Sequence, residues 1–179
     1  GASIVTVCEE ATIPRPPESW RPGTASPHIL LDPSTRGCRY CYVNSGKPGH
    51  PPDPLEPLRL ANAAAQMQLE HVVVTSVDRD DLPDRGAGHF AATIRALKHK
   101  LPAAGVEVLT PDFLGVEEEA LRTVLAERPE VFNHNIETVR RLHRRMRGAK
   151  ASYDPAHWLL RSAKELADYG VMTKSGSIV

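Results

Sequence analysis

Apolar positions along this chain alternate between two periods. His71-Val72-Val73-Val74-Thr75-Ser76-Val77 is a β-branched run of strand length, apolar on both faces, as a buried parallel strand requires. Before it, Leu58, Ala61, Ala65 and Leu69 recur at a helical period over Glu56 to Leu69. After it the pattern repeats: Phe90, Ile94, Leu97 and Leu101 predict a helix, Val106 to Leu109 a strand, and Ala120, Leu121, Val124 and Leu125 a helix. Val131-Phe132 begins a short strand, and Val139, Leu142 and Met146 predict a further helix. Asp154 as N-cap and Pro155 in the first turn open the last helix, which turns Leu159, Ala163, Leu166 and Ala167 inward and stops at Gly170. Val171 to Val179 reads as a fifth strand, and His28-Ile29-Leu30-Leu31 as the end of the first.

Strand–helix alternation of this kind predicts a parallel α/β fold of about five strands, barrel-like or doubly wound. The N-terminal third is different. Of sixteen prolines many precede residue 60, and proline fixes φ and removes a donor. Residues 1–27 are expected to form a proline-rich arm, 28–179 the α/β unit, and Gly46 to Pro54 a loop.

Each predicted strand is followed by a polar, hydrogen-bonding segment. In parallel α/β folds the carboxyl ends of the strands gather at one face, which holds the site. Cys38 and Cys41, Thr75, Asp78 and Asp80, Asp112, Asn135 and Glu137, and Lys174 and Ser175 are expected to converge there. Taken singly, each also reads as a helix cap or a solvated turn.

Composition narrows the classes. With 22 basic and 22 acidic residues the formal net charge is +0, which gives no reason to propose nucleic acid or an anionic membrane as partner. No apolar run approaches the ~20 residues of a membrane span, and the first residues lack the pattern of a signal peptide. Three cysteines do not make a disulfide framework, so a reducing compartment is expected.

The strongest chemical signal is Ser34-Thr35-Arg36-Gly37-Cys38-Arg39-Tyr40-Cys41. Cys-x-x-Cys on a strand-end loop is half of a metal or cluster site, a redox pair, or incidental. A loop spaced Cys-x-x-x-Cys-x-x-Cys would have its first cysteine where Ser34 stands. Zinc is a further possibility, with Cys38, Cys41 and His28 or His50 linking chains into an assembly.

Several strings together resemble the lipoyl synthase family: Thr6-Val7-Cys8-Glu9-Glu10-Ala11-Thr12, Val73-Val74-Thr75-Ser76-Val77-Asp78-Arg79-Asp80-Asp81-Leu82, Thr110-Pro111-Asp112-Phe113, Phe132-Asn133-His134-Asn135-Ile136-Glu137-Thr138 and Thr173-Lys174-Ser175-Gly176. The resemblance implies a partial parallel (βα) barrel of the radical S-adenosylmethionine type. It implies two [4Fe-4S] clusters, one of which binds S-adenosylmethionine and generates a 5′-deoxyadenosyl radical. The implied reaction inserts two sulfurs into an octanoyl chain on a lipoyl domain or carrier protein, in the cytoplasm or in a mitochondrion or plastid. Residue by residue, Cys38 and Cys41 match the radical-cluster loop, Tyr40 matches its aromatic, and Ser34 stands at the missing ligand. Of three N-terminal auxiliary-cluster cysteines only Cys8 matches; Ile13 and Ser19 occupy the others. Tyr40, Thr75, Asn135, Glu137, Lys174 and Ser175 resemble the family's cofactor-binding strand-end residues. Arg85-Gly86 replaces a usual glycine pair, and the chain stops before the family's sixth strand and C-terminal serine ligand. These losses leave open a homologue without cluster chemistry that retains at most S-adenosylmethionine or carrier binding.

Overall fold

The structure is a computed structural model, and it describes residues 23–148 and 153–178. The expectations placed on Cys8, Ile13 and Ser19 lie outside these residues. Six strands, β1 (Thr24–Ala25), β2 (His28–Ile29), β3 (His71–Ser76), β4 (Gly105–Leu109), β5 (Val131–Asn133) and β6 (Met172–Lys174), form one sheet. Every pairing is parallel. β1 and β2 lie end to end along β3, so six strands fill five positions: β1/β2, β3, β4, β5, β6. The sheet thus begins at Thr24, four residues before the expected start.

Five helices are described: α1 (Glu56–Gln66), α2 (Ala87–Lys100), α3 (Glu117–Leu125), α4 (Arg140–Arg147) and α5 (Tyr153–Leu166). The register sorts the strand side chains. Val72 pairs with Val106, Val74 with Val108, and Val108 with Phe132. These residues are fully or almost fully buried and form one core with Leu60, Phe90, Ile94, Leu97, Leu121 and Leu159 of the helices. The alternate residues face the other side: Val73 pairs with Glu107, Thr75 with Leu109, Leu109 with Asn133 and Asn133 with Lys174. One sheet face is therefore apolar under the helices and the other is polar, the layering of a partial barrel.

Several elements differ from the sequence expectation. In α1 the buried face is Pro57, Leu60, Ala61 and Ala64, while Leu58 is 48% exposed. In α4 the buried residues are His143 and Arg147, and Val139 is exposed. Asp154 lies inside the first turn of α5, not at its cap, and its carboxylate takes both guanidinium nitrogens of Arg140. α5 ends at Leu166, short of Gly170. At Arg85-Gly86 the backbone makes a left-handed turn. Arg85 has φ 55° and Gly86 φ 89°, and a Cβ on Gly86 would lie 2.7 Å from Leu30 Cδ1. Arg85 occupies a conformation that L-residues disfavour, while its guanidinium donates to the carbonyls of Leu114 and Asp80, both at 2.9 Å.

Candidate functional site

The loop after β2 is fastened at two points. Ser34 N–H donates to Asn44 O (2.8 Å) and Gly46 N–H to Ser34 O (2.9 Å), which closes residues 34–46 on themselves. Thr35 binds the end of β3: its N–H and hydroxyl donate to Asp78 O, and its Oγ1 accepts from Asp80 N–H. Inside the loop Arg36 N–H donates to Ser34 Oγ at 3.2 Å, with Ser34 buried. Cys41 N–H donates to Cys38 O (3.1 Å), a tight turn that separates the two thiols by exposure: Cys38 is half-buried and Cys41 exposed. Burial pushes the Cys38 thiol up from its ordinary value, against the pull of the Arg147 guanidinium, and its Sγ faces Arg147 O at 3.8 Å.

Under this loop lies a buried charge cluster. Arg36 grips Asp80 with Nε and Nη2, each at 2.9 Å, reaches Asp112 Oδ2 with Nη1, and lies 3.6 Å from Asp78. Asp112 Oδ1 also accepts from Arg147 Nη1 at 3.1 Å, and His134 Nε2 lies at the same distance from it. Burial alone would raise the Asp112 carboxyl; His134, Arg147 and Arg36 reverse that and hold it well below the usual carboxylate range. Asp78 goes the other way, because burial outweighs the nearby Arg36 and raises it. Arg36 thus couples the cysteine loop to the loops after β3 and β4, and Arg147 couples α4 to the same point.

A cavity of about 160 Å³ opens at the carboxyl ends of the strands. It is lined by Cys38, Tyr40 and Cys41, by Thr75, Ser76 and Asp78 after β3, by Leu109, Thr110 and Pro111 after β4, by His134, Asn135 and Glu137 after β5, and by Arg147. Four of these residues carry buried polar atoms without a hydrogen-bond partner: Asp78 Oδ1, Thr110 Oγ1, His134 Nε2 and Arg147 Nε. Buried polar atoms are normally satisfied, so this is where a polar ligand would gain most. Glu137 holds a left-handed φ of 68°, fixed on both sides by its N–H on Gly176 O and its carbonyl under Ile178 N–H. A wider opening of about 680 Å³ lies among Glu117, Glu118, His157, Trp158 and Arg161 of α3 and α5, away from every strand-end residue.

Of the strand-end residues expected to converge, Cys38, Cys41, Thr75, Asp78, Asn135 and Glu137 line the cavity, with Tyr40 beside them, while Asp80 and Asp112 are held on Arg36 instead of lining it. Lys174 and Ser175 are not among the lining residues. Lys174 shares the polar sheet face with Glu107 and gives its ammonium to that buried carboxylate at 3.0 Å. Ser175 Oγ accepts from Ile136 N–H. Within a single chain, Cys38 and Cys41 are not joined by His28 or His50. His28 is buried in β2, His50 sits 3.8 Å from Asp32, and among the described residues no three of His, Cys, Asp and Glu are placed to hold a metal ion. Sequence reasoning missed Arg36 and Arg147. Arginines are seldom buried without partners; Arg36 sits between a loop serine and a cysteine, the one hint available in the sequence.

Residues 35–178 match the radical SAM superfamily, and the chain belongs to it. Within it, the chain is 49% identical over 178 residues to the lipoyl synthase of Pyrobaculum calidifontis, covering 99% of this chain and 60% of the relative. It is 51% identical over 179 residues to the lipoyl synthase of Rubrobacter xylanophilus, covering 100% of this chain and 54% of the relative. The chain thus spans little more than half the length of these relatives. Among solved structures, methylornithine synthase superposes with a TM-score of 0.64 over 88% of this chain and 45% of its own, at 15% identity, which is a likeness of fold. No described helix is long and apolar enough to cross a membrane.

Membership of this superfamily implies S-adenosylmethionine and a [4Fe-4S] cluster, and clusters are held by thiolates. The described residues offer two thiols at the loop, and Ser34, in the third position, already uses its hydroxyl as the acceptor for Arg36 N–H. The donor set does not fit a cluster held by three thiolates. The cavity's unpartnered Asp78, Thr110 and Arg147 atoms do fit a zwitterionic, hydroxyl-bearing ligand.

Proposed function

We propose that this chain is the S-adenosylmethionine-binding half barrel of a lipoyl synthase, the enzyme type that inserts two sulfurs into an octanoyl chain on a lipoyl domain or carrier protein. One observation carries the reading. Thr75, Asn135 and Glu137 line a single cavity with Tyr40 and the Cys38/Cys41 turn, and polar atoms in that cavity are buried without partners. The Arg147 guanidinium would take the carboxylate of S-adenosylmethionine, and Asp78 and Glu137 its ammonium. Thr75, Thr110 and Asn135 would take hydroxyl or base edges. At about 160 Å³ the cavity is smaller than the ~300 Å³ of a drug-sized site. The amino-acid end would fill it, with the nucleoside along the strand ends.

A second reading, binding without cluster chemistry, is favoured by the engaged hydroxyl of Ser34. The test is titration with S-adenosylmethionine, followed by anaerobic reconstitution with iron and sulfide, on wild type and Ser34→Cys. We expect iron-free wild type to bind S-adenosylmethionine and take up little iron, and Ser34→Cys to take up several-fold more. Iron-loaded wild type that releases 5′-deoxyadenosine would support sulfur insertion. Failure of either chain to bind S-adenosylmethionine would sink both readings.

A further inference from the structure

Among the described residues, the exposed face of α4 is the least compensated charge. Its sequence, Arg140-Arg141-Leu142-His143-Arg144-Arg145-Met146-Arg147, turns His143 and Arg147 inward and leaves Arg140, Arg141, Arg144 and Arg145 exposed. Arg140 is matched by Asp154. Among the described residues, Arg141, Arg144 and Arg145 have no carboxylate partner. They share one face at i, i+3 and i+4. Elsewhere among the described residues, the exposed arginines Arg59, Arg95, Arg122, Arg128 and Arg161 each sit on an Asp or Glu of the chain itself, with Arg39 on the adjoining cysteine turn the exception.

Helix stability does not account for the face. Arg144 and Arg145 suit the negative end of the helix dipole, but Arg141 is in the first turn, where a cation is disfavoured. Like charges at these spacings also repel along the helix. With a net charge of +0 over the chain, the arginines are concentrated at one place. That place borders the cavity: Arg147 lines it, and Arg39 of the cysteine turn donates its N–H to Met146 O (3.1 Å). Arg39 is itself exposed.

We propose that this face of α4 docks an acidic surface of the protein that carries the octanoylated lysine, seating the acylated arm at the mouth of the strand-end cavity. The identity of the partner rests on the function proposed above; the surface rests on the unpaired arginines. A nucleic acid would be the other polyanion, but in a net-neutral chain one short helix with the neighbouring Arg39 does not make the extended basic stripe that tracks a phosphate backbone. A rim of exposed charge that meets its complement acts mainly on association rate and salt dependence.

The experiment uses the full chain and a lipoyl domain octanoylated on its lysine, with affinity read by fluorescence anisotropy at ~50 mM and ~300 mM salt. We expect R141E/R144E/R145E to weaken domain binding about tenfold or more at low salt. R141Q/R144Q/R145Q, which keeps the helix without reversing charge, should weaken it less, and both should leave the affinity for S-adenosylmethionine unchanged. Undiminished domain binding by both triple variants would overturn the proposal. So would tighter binding of wild type to a single-stranded oligonucleotide than to the domain. Wild type that binds S-adenosylmethionine but not the domain overturns the docking surface alone. Wild type that binds the domain through these arginines but not S-adenosylmethionine sinks the cofactor reading and leaves the surface standing.

Discussion

Two aspartates on the same arginine are shifted in opposite directions, and the contrast can be measured. Asp112 accepts from Arg36 and Arg147, with His134 Nε2 3.1 Å away, and its carboxyl is held low in the fold. A depressed carboxylate contributes stability that is fully present above the unfolded value near ~4 and is lost as pH falls through the lower, folded value. Asp78 is raised by burial, which Arg36 at 3.6 Å only partly offsets. Its favourable contribution is fully present below the unfolded value and is lost as pH rises through the folded one. Asp112→Asn, which leaves two buried guanidiniums short of a counter-charge, should therefore cost about 3 kcal/mol at neutral pH. That cost should shrink as pH falls below ~4. Asp78→Asn should stabilise at neutral pH by about 1 kcal/mol, the size of an ordinary single-substitution effect, and change little in acid. Urea unfolding of both variants at two pH values is the check. An Asp78→Asn chain less stable than wild type at neutral pH would mean that Arg36 outweighs burial.

At the level of elements, β6 and the segment after it hold Asn135 and Glu137, which line the site, in place. β6 pairs with β5 over three residues, and beyond it Gly176 N–H donates to Asn135 Oδ1 at 3.1 Å while Gly176 O accepts from Glu137 N–H. A Cβ on Gly176 would lie 2.6 Å from Asn135 Oδ1. The atom in the way is the end of a side chain, so the fold can yield by turning Asn135 away. Gly176→Ala should leave stability within roughly 1 kcal/mol of wild type. It should weaken S-adenosylmethionine binding about tenfold, the worth of one or two hydrogen bonds to a polar ligand. Calorimetric titration beside a thermal melt separates the two effects, and a variant that loses both together would make Gly176 a folding residue instead. The same scale shows why α4 misled a reading by hydrophobic period. Its inward face is His143 and Arg147, polar residues whose burial depends on Asp112 and on ring contact with Tyr153, partners distant in sequence that no local pattern reveals.

Across the whole molecule, the elements with two apolar faces or a wide apolar stripe were legible: β3, β4, α2 and α3 follow the Val72/Val74, Val106/Val108, Phe90/Ile94/Leu97 and Leu121/Val124 patterns. The convergence of Thr75, Asn135, Glu137 and the cysteine turn was legible too, because parallel strands must end at one face. Lys174 was not. Its strand-end position suggested the cavity, but the two-residue alternation aims it at Glu107, a buried carboxylate in the middle of β4 that needs a cation more than the cavity does. Arg36 and Arg147 were hidden because long-range charge pairing leaves no period in a sequence. Together these buried ion pairs close the strand-end face, and that gives a last, global prediction. If Arg36 and Arg147 pre-form the cavity, iron-free protein should be stabilised by S-adenosylmethionine through mass action alone, by about 2.7 kcal/mol at a hundredfold excess over Kd. For a chain of 179 residues, each kcal/mol moves the melting temperature by roughly 2–4 °C, so a rise of about 5–10 °C is expected. Arg147→Met removes the cation that lines the cavity and one of the two that hold Asp112. It should lower the melting temperature of the free protein and abolish the ligand-induced rise. A rise that survives in Arg147→Met would place the amino-acid end of the ligand elsewhere along the strand ends, and no rise in wild type would mean that the cavity is not pre-formed for this ligand.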